Sequence, residues 1–199
     1  MKAFAPHSHN RGFTLVELLV VIVVVAVLAL VVILVLNPSE LLRRARDSNR
    51  ISDMASLRTS LALYLANVSS PNLASSTNGY GRCYITAATT SCAFGFSTFP
   101  ATNSTSSATS TAVNSTGWLP VDMTQIASGA PLASLPIDPV NNSTCFYGYV
   151  ATSTNLTYKL IASCMESVKY GGVGSGYNVL ATDGGSFPNV YELGTNLSL

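Results

Sequence analysis

Between Phe13 and Leu36 the chain has twenty-four residues, and Glu17 is the only charged one among them. A run of that length fits the ~20 apolar residues with which a helix crosses the hydrocarbon core of a bilayer. The apolar core of a secretory signal peptide is shorter, about 7–15 residues, and ends at a small-residue cleavage site, which does not follow here. Lys2 and Arg11 precede the run and no acid comes before Glu17. The positive-inside tendency therefore puts residues 1–12 in the cytoplasm and everything after Leu36 outside. Glu17 is the residue an ordinary anchor does not explain. A carboxylate at the centre of a membrane helix costs roughly 2.5–3.5 kcal/mol on insertion scales, and less near an end, where Glu17 lies. A group kept at that cost needs a partner. Cleavage between Gly12 and Phe13 makes one, because the new α-amine stands four residues before Glu17, one turn away on the same helical face.

The segment Gly12-Phe13-Thr14-Leu15-Val16-Glu17-Leu18 resembles the processing site of type IV pilins and type II secretion pseudopilins. In that family a membrane prepilin peptidase cuts after the glycine and methylates the new N-terminal phenylalanine. The glutamate pairs with the N-terminal amine of a neighbouring subunit during assembly. The resemblance implies that Gly12 is the cleavage residue, Phe13 the methylated terminus and Glu17 the assembly glutamate. It implies as partners the prepilin peptidase, a pilus or secretion assembly machinery, membrane lipid before assembly, and further copies of this chain in a helical filament. Many pilins carry a proline where this chain has Leu34; here the proline falls four residues later, at Pro38.

Composition agrees with an exported, weakly charged protein. The formal net charge is +1 and 10% of residues are charged; loss of a leader with Lys2 and Arg11 takes the charge to −1. Five of the ten basic residues are Arg43, Arg44, Arg46, Arg50 and Arg58. Beyond them no broad basic face remains for nucleic acid. The cluster reads as a solvated helix face, since Asp47 and Asp53 lie at pairing distance from Arg43 and Arg50.

The apolar segment continues as one long helix. Ile51, Met54, Leu57, Leu61, Tyr64 and Val68 recur at three- and four-residue spacing and form one amphipathic stripe. Pro38 lacks the backbone donor, so a kink is expected near residues 34–38. The helix then runs from Phe13 to Asn67, about 80 Å at 1.5 Å per residue.

After Asn67 the texture changes to Ser, Thr, Asn, Gly and Pro. Residues 101–116 hold ten Ser or Thr in sixteen, which reads as a loop too polar for a core. Asn103, Asn114, Asn142 and Asn155 head Asn-x-Ser/Thr sequons, weak signals in so polar a chain. Candidate strands are Cys83–Ala87, Cys92–Phe96, Cys145–Ala151, Leu156–Cys164, Tyr177–Ala181 and Asn189–Leu193, punctuated by Gly-rich turns at 171–176 and 183–186. Short strands with tight connections argue for an antiparallel meander, and the apolar stripe of the helix is the natural cover for one of its faces. The expected fold class is α+β: a leader (1–12), a long helix (13–67), a variable Ser/Thr-rich region (68–144) and a C-terminal antiparallel sheet (145–199).

Leu135-Pro136-Ile137-Asp138-Pro139 leading into Cys145-Phe146-Tyr147-Gly148-Tyr149 resembles the C-terminal domain of major pseudopilins and related pilins. Physically, two prolines fix φ and Asp138 offers its carboxylate to nearby backbone donors, a rigid loop-to-strand corner. Related pseudopilins hold calcium in a loop of this sheet. Here Asp183 and Glu192 are too few for the six to eight oxygens calcium takes. Cys83, Cys92, Cys145 and Cys164 all fall on the exported side, where disulfides persist. Four cysteines allow three connectivities; Cys83–Cys92 and Cys145–Cys164 are favoured because each would join neighbouring strands. No C-x-x-C spacing exists and the histidines, His7 and His9, lie in the leader. Zinc and a Ser-His-Asp or Cys-His centre are therefore not expected in the processed chain, and no phosphate-binding loop is present. No cofactor or catalytic residue is assigned. A monomeric anchored binding module is the competing class, and it leaves Glu17 without a role.

Overall fold

The computed structural model describes residues 12–73, 83–86, 104–107, 110–152, 155–171 and 177–199. The chain divides into two compact units between Leu41 and Leu42.

In the first unit, α1 (Leu15–Leu36) opens at Thr14, an N-cap whose side chain accepts from the Glu17 amide. Its 22 residues span about 33 Å at 1.5 Å per residue, enough for a hydrocarbon core of about 30 Å. None of its residues is buried, and by length and composition the helix is able to cross a membrane. The expected kink is a full interruption. Asn37 adopts a left-handed conformation (φ 40°, ψ 75°) and α2 (Pro38–Asn67) begins immediately after it. The local chemistry explains the break. A residue before proline is driven out of the right-handed helical region, and asparagine tolerates the left-handed one. Proline suits a first helical turn, where its missing N–H is no loss. The Asn37 carbonyl then accepts from the Glu40 and Leu41 amides (3.0 and 3.3 Å), and its side chain accepts from the Ser39 hydroxyl (2.8 Å).

The second unit is a sheet with both faces covered. Strands β1 (Cys83–Ile85), β2 (Ser104–Ser107), β3 (Tyr147–Thr152), β4 (Thr157–Ala162) and β5 (Tyr191–Gly194) lie in the order β2-β1-β3-β4-β5. The β1–β3–β4–β5 part is antiparallel, and β2 joins β1 in parallel at the edge. Ser104–Ser107 thus forms a strand inside the stretch read as a loop; an edge strand takes its stability from backbone pairing and needs no apolar side chains. In register, Tyr147 opposes Ala162, Tyr149 opposes Leu160 and Ala151 opposes Tyr158. These six residues pack with Met54, Leu57, Leu61 and Tyr64 of α2, all four fully buried. The period-3.6 stripe and the period-2 strands therefore meet as expected. The opposite face is smaller: Cys83, Ile85, Phe146, Val150, Ile161 and Leu199 form its cluster.

Two further features depart from the sequence reading. The 110–135 stretch is a structural partner of the helix and sheet, because Trp118, Leu119, Val121, Met123, Ile126 and Leu135 are buried in the larger cluster. Trp118 lies against Tyr147 and its indole N–H donates to the Pro136 carbonyl (2.8 Å). The strand expected at Tyr177–Ala181 is replaced by a single helical turn, α4 (Val179–Thr182), preceded by α3 (Val168–Gly171). Asn178 accepts from the Leu180 amide (3.0 Å) and so caps α4, a local bond that competes with strand pairing. The expected strand Cys92–Phe96 lies outside the described residues. The structure joins Cys145 to Cys164, with Cα atoms 5.2 Å apart. Cys83 is also disulfide-bonded, while Cys92 lies outside the described residues.

Candidate functional site

The N-terminal site is a short exposed strip at the start of α1. Among the described residues nothing stands within 4 Å of where a Gly12 Cβ would be, so none of them demands a glycine there. Phe13 follows, 75% exposed. Thr14 and Glu17 form a reciprocal cap: the Glu17 amide donates to Thr14 Oγ1 at 3.2 Å, and Thr14 Oγ1 donates to Glu17 Oε2 at 3.4 Å. The cap curls the Glu17 side chain back toward the helix N-terminus, where the carboxylate also meets the positive end of the helix dipole. Sequence reasoning placed Glu17 but missed Thr14; the T-x-x-E spacing before an apolar run carried that signal. From Leu15 to Leu36 the large apolar side chains are 50–79% exposed on every side, so α1 presents no polar face to water.

A second constellation ties α2 to the rest of the head. Arg50 is fully buried and sits at the centre of three carboxylates. Its Nε and Nη2 donate to Asp138 Oδ2 and Oδ1 (2.6 and 3.0 Å), and its Nη1 donates to Asp47 Oδ1 (2.7 Å) and Glu166 Oε2 (2.9 Å). Asp47 also accepts from the Glu166 and Ser167 amides, and Arg46 holds Glu166 through two bonds of 2.7 and 2.9 Å. Asp53 accepts from the Tyr147 hydroxyl (2.7 Å). Arg50 and Asp47 are thus interior groups, not the solvated face expected of them, and Asp53 pairs with a tyrosine of the sheet instead of with Arg50. Helical spacing alone does not tell an outward carboxylate–guanidinium pair from an inward one that meets acids 88 and 116 residues away. Asp138 does hold its corner, accepting from the Val140 and Asn141 amides (2.8 and 3.2 Å), and serves Arg50 as well.

The electrostatics follow from these bonds. Burial disfavours the Arg50 charge, but the bonds and charges of Asp138, Glu166 and Asp47 outweigh it and raise its pKa. The bond from Arg46, with Arg50 adding to it, lowers Glu166 to about 2. Burial raises Asp53, and the Tyr147 hydroxyl offsets part of that. The buried charges of Arg50, Asp47 and Asp138 all face partners within the protein, which suits an internal brace.

The acids of the C-terminal loop are also committed. Asp183 accepts from the Gly185 and Glu192 amides (both 2.8 Å), and Glu192 accepts from the Phe187 amide (3.0 Å) and pairs with the buried Lys159 ammonium. Lys159 further donates to the Leu197 and Leu199 carbonyls (3.0 and 3.1 Å). A cation made of protein already sits among these oxygens. Among the described residues no group of three or more His, Cys, Asp or Glu could hold a metal.

Comparison with known proteins bears on the first site alone. The family described as "Prokaryotic N-terminal methylation motif" matches residues 7–33. The chain carries the signal motif of type IV pilins and pseudopilins. The match takes in Gly12, Phe13, Thr14, Glu17 and most of α1, and ends before the head begins. No curated protein and no solved structure matches the chain. The motif, the long N-terminal helical segment and the small antiparallel sheet together make a pilin-like α+β chain, of the kind that prepilin peptidase processes.

Proposed function

We propose that the chain is the structural subunit of a type IV pilus or pilus-like filament, processed after Gly12, methylated on Phe13 and assembled through α1. The observation that carries this reading is Glu17. It is the lone charge in a 22-residue helix with no buried residue, it lies inside the matched methylation motif, and it is turned toward the helix N-terminus by Thr14. Its natural partner is the Phe13 amine of a neighbouring copy, since an uncompensated carboxylate is costly in the low-dielectric core of a helical bundle. The free space at Gly12 supports the same reading, because the requirement for glycine then comes from the peptidase. Before assembly α1 rests in the membrane with the head outside. A head-to-tail contact that does not close into a ring turns such subunits into a filament.

The second reading is a major pseudopilin of type II secretion, favoured by the Leu135–Pro139 corner. Mass spectrometry of the N-terminus, on sheared surface material and on membranes, tests both. A sheared chain beginning with methylated Phe13 supports the pilus, a processed chain confined to membranes shifts the reading to the pseudopilus, and an intact Met1 in both fractions refutes both. Glu17→Ala is expected to leave insertion and cleavage intact and to abolish most filament yield. Normal yield from that variant removes the role given to Glu17.

A further inference from the structure

The chain carries several Asn-x-Ser/Thr sequons, and the structure separates them sharply. From the geometry of one of them we infer that Asn114 is the attachment point of an N-linked glycan. Asn114, Ser115 and Thr116 are three consecutive exposed residues between half-buried Val113 and buried Gly117. They form the tip of a tied loop: the Met123 amide donates to the Val113 carbonyl (2.9 Å), and Asn114 pairs with Asp122 in an isolated bridge. Ser115 takes a left-handed conformation (φ 68°). That turn brings the third sequon residue back onto the first. Thr116 Oγ1 donates to Asn114 Oδ1 at 2.7 Å, and the Thr116 amide donates to the same oxygen at 3.4 Å. The amide oxygen is occupied, and Nδ2 has no acceptor among the described residues. The reacting nitrogen is the free end of the side chain.

The other sequons among the described residues lack this arrangement. The Asn67 amide donates to the Leu63 carbonyl (2.9 Å) inside α2. Asn141 Oδ1 is buried and its Nδ2 points to the Thr86 carbonyl (3.4 Å). Asn142 Oδ1 accepts from the Thr144 and Cys145 amides (2.9 and 2.8 Å), holding the turn into the disulfide, and no bond joins it to the Thr144 hydroxyl. In the Asn155 sequon the Thr157 hydroxyl is paired with Thr152 (2.8 Å). Asn196 accepts from the Ser198 amide (3.1 Å) beside the carbonyls that hold Lys159. Asn103 itself lies outside the described residues.

The reaction is a glycosyl transfer. Nδ2 forms a bond to the anomeric carbon of a glycan carried on a lipid phosphate or pyrophosphate. The bond from that carbon to the phosphate oxygen breaks, the lipid phosphate leaves with the electron pair, and Nδ2 gives up one of its two protons to a base of the membrane transferase. No oxidant or reductant enters. The inference rests on the proposed export of the head, since donor and transferase of this class work on the exported side of a membrane.

The test uses the full chain isolated from its native cells, digested with a protease that cuts after aromatic residues. The peptide ending at Trp118 is fragmented by electron transfer, so that Asn114 and Asn103 are told apart. The expected result is a glycan mass on Asn114, lost completely in Asn114→Asp, which keeps the accepting oxygen, and in Thr116→Val, and retained in Thr116→Ser. Trp118 emission confirms that each variant is folded. Bare Asn114 in a chain that starts at Phe13 and has Cys145 joined to Cys164 overturns the inference and leaves the proposed function standing. Bare Asn114 in a chain with its leader intact and its thiols reduced overturns both. Equal modification of Thr116→Val, or glycan at Asn142 or Asn155 with Asn114 bare, overturns the selection by geometry.

Discussion

Replacing Arg50 by methionine removes the one cation that faces Asp47, Asp138 and Glu166 together. Asp47 is 0% exposed and Asp138 3%, so neither carboxylate regains water when the guanidinium is gone. Removing one partner of a buried ion pair costs about 3–5 kcal/mol. The lower end applies here, because Asp138 keeps the Val140 and Asn141 amides and Asp47 keeps those of Glu166 and Ser167. With a urea dependence of about 2 kcal/mol per molar for a domain of this size, a loss of about 3 kcal/mol lowers the urea midpoint by about 1.5 M. The probe is built in: Trp118 is the single tryptophan, fully buried against Tyr147, and its emission follows unfolding of the detergent-solubilised full chain. Arg46→Gln is the control. Arg46 is half-exposed and holds Glu166 at the rim, so a midpoint shift under about 0.5 M is expected. An Arg50→Met midpoint within about 0.5 M of the parent chain would refute the view that this cluster locks α2 to the Asp138 corner.

Acid stability follows from Glu166. Its folded pKa is lowered from 4.5 to about 2, so its contribution is complete above about pH 4.5 and disappears as the pH falls toward 2. Asp53, whose pKa is raised, takes up its proton more readily in the fold and opposes part of the loss. Urea midpoints measured across this range should fall less steeply for Glu166→Gln than for the parent; equal slopes would assign the acid sensitivity elsewhere. Leu57→Ala, at a fully buried stripe position, should cost about 2–5 kcal/mol by thermal or urea unfolding, whereas Leu63→Ala, 42% exposed, should stay within about 0.5 kcal/mol. Equal losses would mean that α2 packs through another face. Converting Cys145 and Cys164 to serine opens a link between residues 19 apart and should cost about 3 kcal/mol by the chain-entropy estimate. Dithiothreitol then should not lower the variant further through this link.

What the sequence made legible was periodicity. The apolar run gave α1, the three- and four-residue spacing gave the face of α2, and alternation gave β3 and β4 to within two residues. The N-terminal motif was legible as a linear pattern at Gly12, Phe13 and Glu17, whereas Thr14 went unread beside them. What it concealed was long-range. Arg50, Asp47, Asp138 and Glu166 look like surface charges until the chain brings Asp138 and Glu166 against the helix, and no local spacing records that. The 110–135 stretch was hidden for a related reason. Its buried residues, Trp118, Leu119, Val121, Met123, Ile126 and Leu135, follow no regular element and so have no period to read. At Asn178 a single capping side chain overrode an apolar pattern that suited a strand equally well.

α1 is a rod without a front. Leucine, valine, isoleucine and alanine wrap it on all sides and no residue of it is buried, so its aliphatic surface distinguishes no direction around the axis. In the proposed filament, the orientation of such a rod among its neighbours is then encoded almost entirely in one side chain. Exchanging valine for leucine anywhere between Leu18 and Leu36 changes the grease and not the address. Moving the carboxylate from position 17 to position 18 turns the address by about 100° around the helix, leaving composition, length and hydropathy the same.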